Sequence, residues 1–204
     1  MVVIGLTGGI GCGKSSVANI IKKMGYTIIS TDDRAKVIMV NDSEIISKIK
    51  NDFGESAYNS NGNLNSEFIS QIIFGDDIKN IEAMQHLNSI VHPKVIDDML
   101  VQVEEFETNG EKLLFVESAL IYEAMLEDGF DYIIVVDSDE DIAVSRIMQR
   151  NDLTKEQAQQ RIQSQLPNSE KVQYADFVIE NNLSLVDLEK SVEMIMTIIN
   201  TIIE

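Results

Sequence analysis

Gly8-Gly9-Ile10-Gly11-Cys12-Gly13-Lys14-Ser15 follows an apolar run, Val2-Val3-Ile4, and leads into Val17, Ile20, Ile21 and Met24, spaced i, i+3, i+4 and i+7. Strand, glycine loop and helix is the setting in which G-x-x-x-x-G-K-[ST] forms a phosphate-binding P-loop. Glycines let the backbone curl around a phosphate without Cβ clashes. The loop N–H groups and the helix N-terminus direct partial positive charge inward. In such a loop Lys14 reaches the β- and γ-phosphates, and Ser15 holds Mg²⁺ through its hydroxyl. Gly25 then stops the helix, as a glycine just past a helix end does.

The whole chain bounds what surrounds this loop. Its 204 residues suit one domain, or one core with insertions. Cys12 is the single cysteine, so neither an intrachain disulfide nor a cysteine metal cluster is available. No apolar run reaches the length of a membrane span, and no signal peptide is legible, so a cytoplasmic location is expected. The formal net charge of −18 argues against nucleic acid as a partner. It also means that an anion-binding loop sits in an acidic chain, so the place of each Arg and Lys is informative.

Outward from the loop, Tyr26-Thr27-Ile28-Ile29 reads as a second strand ending near Ser30. Ligands in open α/β sheets sit beyond the carboxyl ends of strands, which puts Asp32 and Asp33 at the edge where the P-loop lies. Either acid also fits a helix N-cap before Ala35. Residues 36–112 show no strong strand pattern and read as helices. Ser43 is expected to cap the first of these. Asn59–Asn65 forms a polar turn, Ser66 opens a further helix that Gly75 ends, and Pro93 breaks the chain and starts a last helix through Phe106. A crossover needs only a dozen or so residues, so this insertion reads as a substrate-binding subdomain. His92, beside Pro93, fits a phosphate or base ligand or a cap; His86 reads as structural.

Leu113-Leu114-Phe115-Val116 is a buried parallel strand, and Glu117 at its end fits either a Mg²⁺ site or a cap. Tyr132–Val136 is another strand. Two helices follow, with Thr154 and Gln157 as a capping box for the second. They carry Arg146, Arg150 and Arg161, and the chain's one other arginine is Arg34. Arginines concentrated in a helical hairpin suit a mobile lid over phosphates, residues 138–167, or else salt bridges with the many surface acids. Phe177-Val178-Ile179 is a last strand. Ser184 with Asp187 opens a C-terminal helix with an apolar stripe, Leu185 to Ile203, that reads as core. The fold class is therefore α/β, a doubly wound five-stranded parallel sheet with a helical insertion and a lid. The single domain has its core in 1–35 and 113–204. A short chain without an N-K-x-D motif favours a small-molecule kinase over a GTPase or a motor.

The chain resembles the dephospho-coenzyme A kinases, a family with the P-loop nucleoside/nucleotide kinase fold. The resemblance runs through Gly5-Leu6-Thr7-Gly8-Gly9-Ile10-Gly11-Cys12-Gly13-Lys14-Ser15, Asp32 with Ala35-Lys36, His92-Pro93, Leu120-Ile121-Tyr122-Glu123, Gln149-Arg150 with Asp152, and Arg161 with Gln165. It implies transfer of a phosphoryl group from ATP, with Mg²⁺, to the ribose 3′-hydroxyl of dephospho-coenzyme A. Gly9, Gly11, Cys12, Gly13, Lys14, Ser15 and Ser16 would bind ATP, with Ser15 on the metal. Asp32 would act as base. Lys14, Arg146 and Arg150 would neutralise charge in transfer, and Asp32, Lys36, His92 and Arg161 would touch the acceptor. Departures are Ser30 where the family often has an acid, Ala119 where proline is common, and Cys12 where serine is usual. A thiol at a helix N-terminus is expected to have a lowered pKa and to be open to oxidation. A nucleoside or nucleotide kinase and a non-catalytic ATP sensor are the alternative readings. Oligomeric state stays open.

Overall fold

The computed structural model describes residues 1–74 and 78–203 and carries one sheet of five parallel strands. These are β1 (Val2–Gly8), β2 (Thr27–Ser30), β3 (Leu113–Glu117), β4 (Tyr132–Asp137) and β5 (Phe177–Glu180), in the order β2-β3-β1-β4-β5. All five expected strands are present. β3 is buried along its whole length, as a central strand covered on both faces must be. The register sets Glu117 opposite both Leu6 and Ser30, and Gly8 opposite Val136, so the ends of four strands are brought level.

The chain divides into two compact units, 1–30 with 105–204, and 31–104. In the first, α1 (Lys14–Lys23) and α9 (Leu185–Ile203) close one side of the sheet. Val17, Ile21, Val192, Met196 and Ile199 pack there with Ile4, Leu6, Phe115 and Ile134. Leu185 and Ile202 are exceptions to the expected stripe, because both are exposed, while Ile203 at the helix end still packs against the core. Ile121, Ile133 and Val135 form a separate cluster with Tyr122, Phe130 and Val172. Ser184 and Asp187 exchange hydrogen bonds at the start of α9, as expected.

The hairpin consists of α6 (Glu140–Asn151) and α7 (Lys155–Gln163), and a short α8 (Asn168–Gln173) follows. Both halves of the Thr154–Gln157 capping box are made. Val144, Ile147 and Ala158 are buried between the helices, and Ile10 of the loop packs on them. The short α8 follows directly on Pro167, which stands at its N-cap.

The second unit holds α2 (Thr31–Asn41), α3 (Ser43–Phe53), α4 (Ser66–Ile73) and most of α5 (Ile78–Thr108). Ile38, Ile45, Ile49, Tyr58, Ile69, Leu87, Val91 and Val95 form its core. Asp42, not Ser43, caps α3, its carboxylate accepting from Glu44 N and Ile45 N at 3.0 and 3.1 Å. Asn59–Asn65 is a turn, as expected, and the Gly75 helix stop lies outside the described residues. The largest difference is at Pro93, which lies inside the 31-residue α5 and does not interrupt it. A proline in a helix interior costs about 3 kcal/mol, because it removes one N–H and crowds the preceding turn. Leu87 and Val91 before it and Val95 after it lie in the same core, at i, i+4 and i+8, and their burial offsets that cost. Among the described residues, no helix is long and apolar enough to cross a membrane.

Candidate active site

The P-loop leaves β1 at Gly8 and enters α1 at Lys14, with Gly11 and Gly13 at φ +85° and +94°. Both glycines are required for space as well as for φ. A Cβ on Gly11 would stand 2.6 Å from the carbonyl oxygen of Ala143, and one on Gly13 would collide with the side-chain nitrogen of Asn181. Among the described residues no side chain caps the N-terminus of α1, which leaves the N–H groups of its first residues, before Ser16, to a ligand or solvent.

Lys14 is largely buried, and among the described residues its ammonium group makes no ion pair or hydrogen bond. The chain's other buried lysine shows what burial ordinarily demands. Lys171 is fully buried and pairs with Glu123 at 2.6 Å, while also donating to the carbonyl of Ala119. In a chain with 34 acidic residues, a buried cation without a carboxylate marks a place kept for an anionic ligand. Ser15 donates to Glu117 at 2.9 Å. That hydroxyl and carboxylate are hard oxygen donors side by side, of the kind that Mg²⁺ prefers. Among the described residues, no cluster of three or more His, Cys, Asp or Glu could hold a metal on its own.

The outside of the loop is tied down by side chains from far along the chain. Gly9 N donates to Asn168 Oδ1 at 2.7 Å, and Ile10 N to Gln165 Oε1 at 2.9 Å. Asn181 Nδ2 donates to the carbonyl of Cys12 at 2.8 Å. Arg146 reaches the carbonyls of Gly11 and Cys12 at 3.4 and 3.5 Å and donates to the Asn181 carbonyl at 2.9 Å. So the structure places Arg146 against the loop's outer carbonyls. Arg150 is exposed and bonds to Asn151; Arg161 is half-buried, and its pKa is lowered by burial and then by the nearby charge of Arg150. Two like charges held close together suit an anion between or above them.

Cys12 corrects an expectation. It is buried in the main core, and burial, reinforced by the negative charge of Asp137, pushes its thiol pKa up rather than down. The thiolate is therefore disfavoured near neutral pH, and the oxidation-sensitive loop expected from sequence is withdrawn. Folded protein at pH 8 is expected to label with a thiol reagent at least about tenfold more slowly than urea-unfolded protein, as an inert buried cysteine does. Equal labelling rates would contradict the burial.

In the second unit, Asp32 is exposed in the first turn of α2 and makes no hydrogen bond among the described residues. His92 is half-buried in mid-helix rather than at a helix start. Burial lowers its pKa, and the nearby charge of Asp32 partly opposes this. Lys36 pairs with Asp33 at 2.8 Å on the surface, and Arg34 makes a bidentate pair with Asp98 at 2.7 and 2.6 Å. His86 bonds Asp52, in keeping with a structural role. Asn168 and Asn181 escaped sequence reasoning, and Gln165 entered it only through the resemblance. The signal for Asn181 was the polar pair Asn181-Asn182 directly after a core strand; Asn168 left none.

A profile of the family described as "Dephospho-CoA kinase" matches residues 2–187. A protein named Dephospho-CoA kinase from Listeria monocytogenes serotype 4b is 39% identical over 201 residues, covering 98% of this chain and 97% of that protein. The crystal structure of TT1252 from Thermus thermophilus superposes with TM-score 0.75 at 28% identity, over 96% of each chain. A structure of Dephospho-CoA kinase from Campylobacter jejuni does so with TM-score 0.62 at 26% identity, over 96% of this chain and 95% of that one.

Proposed function

We propose, for a chain that belongs to the dephospho-CoA kinase family, that it transfers the γ-phosphoryl group of ATP to the ribose 3′-hydroxyl of dephospho-coenzyme A. The products are coenzyme A and ADP, in the last step of coenzyme A biosynthesis. The observation that carries this reading is Lys14 at the start of α1, buried and without an ion pair among the described residues.

In this assignment Gly9, Gly11, Cys12, Gly13, Lys14, Ser15 and Ser16 wrap the triphosphate of ATP, which meets the main-chain N–H groups that the loop's own hydrogen bonds do not use; those of Gly9, Cys12 and Ser16 are held internally. Ser15 and Glu117 hold Mg²⁺, which neutralises phosphate charge when bound. Lys14 stabilises the charge that develops on the transferring group. Arg146, Arg150 and Arg161 add positive charge from the lid, residues 138–167, and Arg161 touches the acceptor. Asp32 accepts the proton of the attacking hydroxyl; it makes no hydrogen bond among the described residues, which suits a base. His92, held neutral near Asp32, and Lys36 bind the acceptor, and the helical residues that follow β2 form its pocket.

A panel assay tests this. The protein is incubated with ATP, Mg²⁺ and one acceptor at a time, and ADP is measured. Turnover with dephospho-coenzyme A and none with nucleosides or nucleoside monophosphates is expected. Turnover on a nucleoside alone would make it a nucleoside kinase, and ATP binding without turnover on any acceptor would make it a sensor.

A further inference from the structure

Beyond the residues that meet ATP, the structure assigns to Asn181 the task of aiming a P-loop peptide. This inference rests on reading the loop as the ATP site. A peptide group is planar and trans, so fixing its carbonyl in one direction fixes its N–H in the other. Asn181 Nδ2 holds the carbonyl of Cys12 at 2.8 Å in a fully buried hydrogen bond. The N–H on the same peptide belongs to Gly13, and it therefore faces away from Asn181, toward the concave side of the loop.

The neighbours leave the amide of Asn181 one orientation. Its Oδ1 accepts from Arg146 Nη2 at 3.3 Å, and a guanidinium can only donate; its Nδ2 meets a carbonyl, which can only accept. The backbone is held too, because Asn181 N donates to the Asp137 carbonyl at 2.8 Å and Asn181 O accepts from Arg146 at 2.9 Å. The close approach also explains Gly13, since any Cβ there would strike the Asn181 amide. Asn181 touches the loop from outside and is a positioning residue: it acts through the Cys12–Gly13 peptide. Without it the Cys12 carbonyl keeps only the longer 3.5 Å contact to Arg146, and the peptide is less firmly held against turning that carbonyl, rather than its N–H, toward the phosphates.

Two substitutions separate aiming from packing. Asn181→Asp keeps the size and can still accept from Arg146, but it sets an oxygen against the Cys12 carbonyl. Asn181→Ala removes the donor and leaves room for water. Binding of a non-hydrolysable ATP analogue, KM for each substrate and thermal midpoint are measured on the full chain. Asn181→Asp is expected to weaken analogue binding about 10- to 100-fold, in line with losing one hydrogen bond that supports a charged ligand. Asn181→Ala is expected to weaken it less, with KM for dephospho-coenzyme A unchanged in both. A packing role gives the opposite order, with alanine worse because it opens a cavity, and that order overturns the inference. So does wild-type affinity in Asn181→Asp. If the aspartate variant does not fold, unchanged analogue binding in Asn181→Ala overturns the inference, and a selective rise in KM for ATP supports it. Failure of the unsubstituted protein to bind the analogue would instead remove the ATP-site reading beneath it.

Discussion

Lys14→Ala loses kcat/KM for ATP by at least about 10²–10³-fold, the worth of a preorganised donor aimed at developing charge. Two effects add. The alanine variant no longer offers a cation to the phosphates, and that cation stands in a largely buried place where each charge interaction is stronger than in water. The variant should fold normally. Lys14 has no internal ion pair to lose among the described residues, and removing it takes an uncompensated charge out of the interior. The informative result is thus a pair of measurements: activity nearly gone and thermal midpoint unchanged or raised. Activity within a fewfold of the unsubstituted protein would mean that Lys14 binds no phosphate.

Asp32→Asn slows turnover by about 10²–10⁴-fold and leaves ATP affinity intact, because a general base acts in the chemical step and not in donor binding. Asparagine has the same shape and can still accept a hydrogen bond from the ribose hydroxyl, but it cannot take the proton. The loss should therefore fall on kcat, with KM for dephospho-coenzyme A little changed. Stability should hold, since Asp32 is exposed and without internal hydrogen bonds among the described residues. Unchanged kcat would remove Asp32 from the chemistry. Asp33 would then be tested next, although its surface pair with Lys36 makes it a poorer base.

Where the structure could be read from sequence, the information was local. The glycine loop, the apolar runs of β1, β3 and β4, the capping box at Thr154 and the Ser184–Asp187 cap each lie within a few residues of chain. Their physical causes act over the same distance. What stayed hidden depends on partners far away. Asn181 is 169 residues from the carbonyl that it holds, and Asn168 is 159 from the Gly9 amide. The only local hint was the Asn181-Asn182 pair after a core strand, and nothing local distinguishes Asn168 from a surface asparagine. Pro93 misled for a related reason: its local preference is to break a helix, and the packing of Leu87, Val91 and Val95 overrides it. The thiol of Cys12 followed burial rather than its place near a helix start. Ser43 and Asp42 are both good caps, and adjacent candidates cannot be ranked without coordinates.

The Lys171–Glu123 pair constrains how this sequence can drift over generations. Glu123 comes from the turn after β3 and Lys171 from α8, and Leu166 N also donates to Glu123 at 3.2 Å. Losing either charge alone strands the other in the interior, at about 3–5 kcal/mol. A domain holds only about 5–15 kcal/mol in all, so each single step crosses a large part of the margin. Replacing both by apolar residues of similar volume can be neutral. The two ends of the pair can therefore be exchanged together but not in succession, which ties the history of the turn after β3 to that of a helix some fifty residues later.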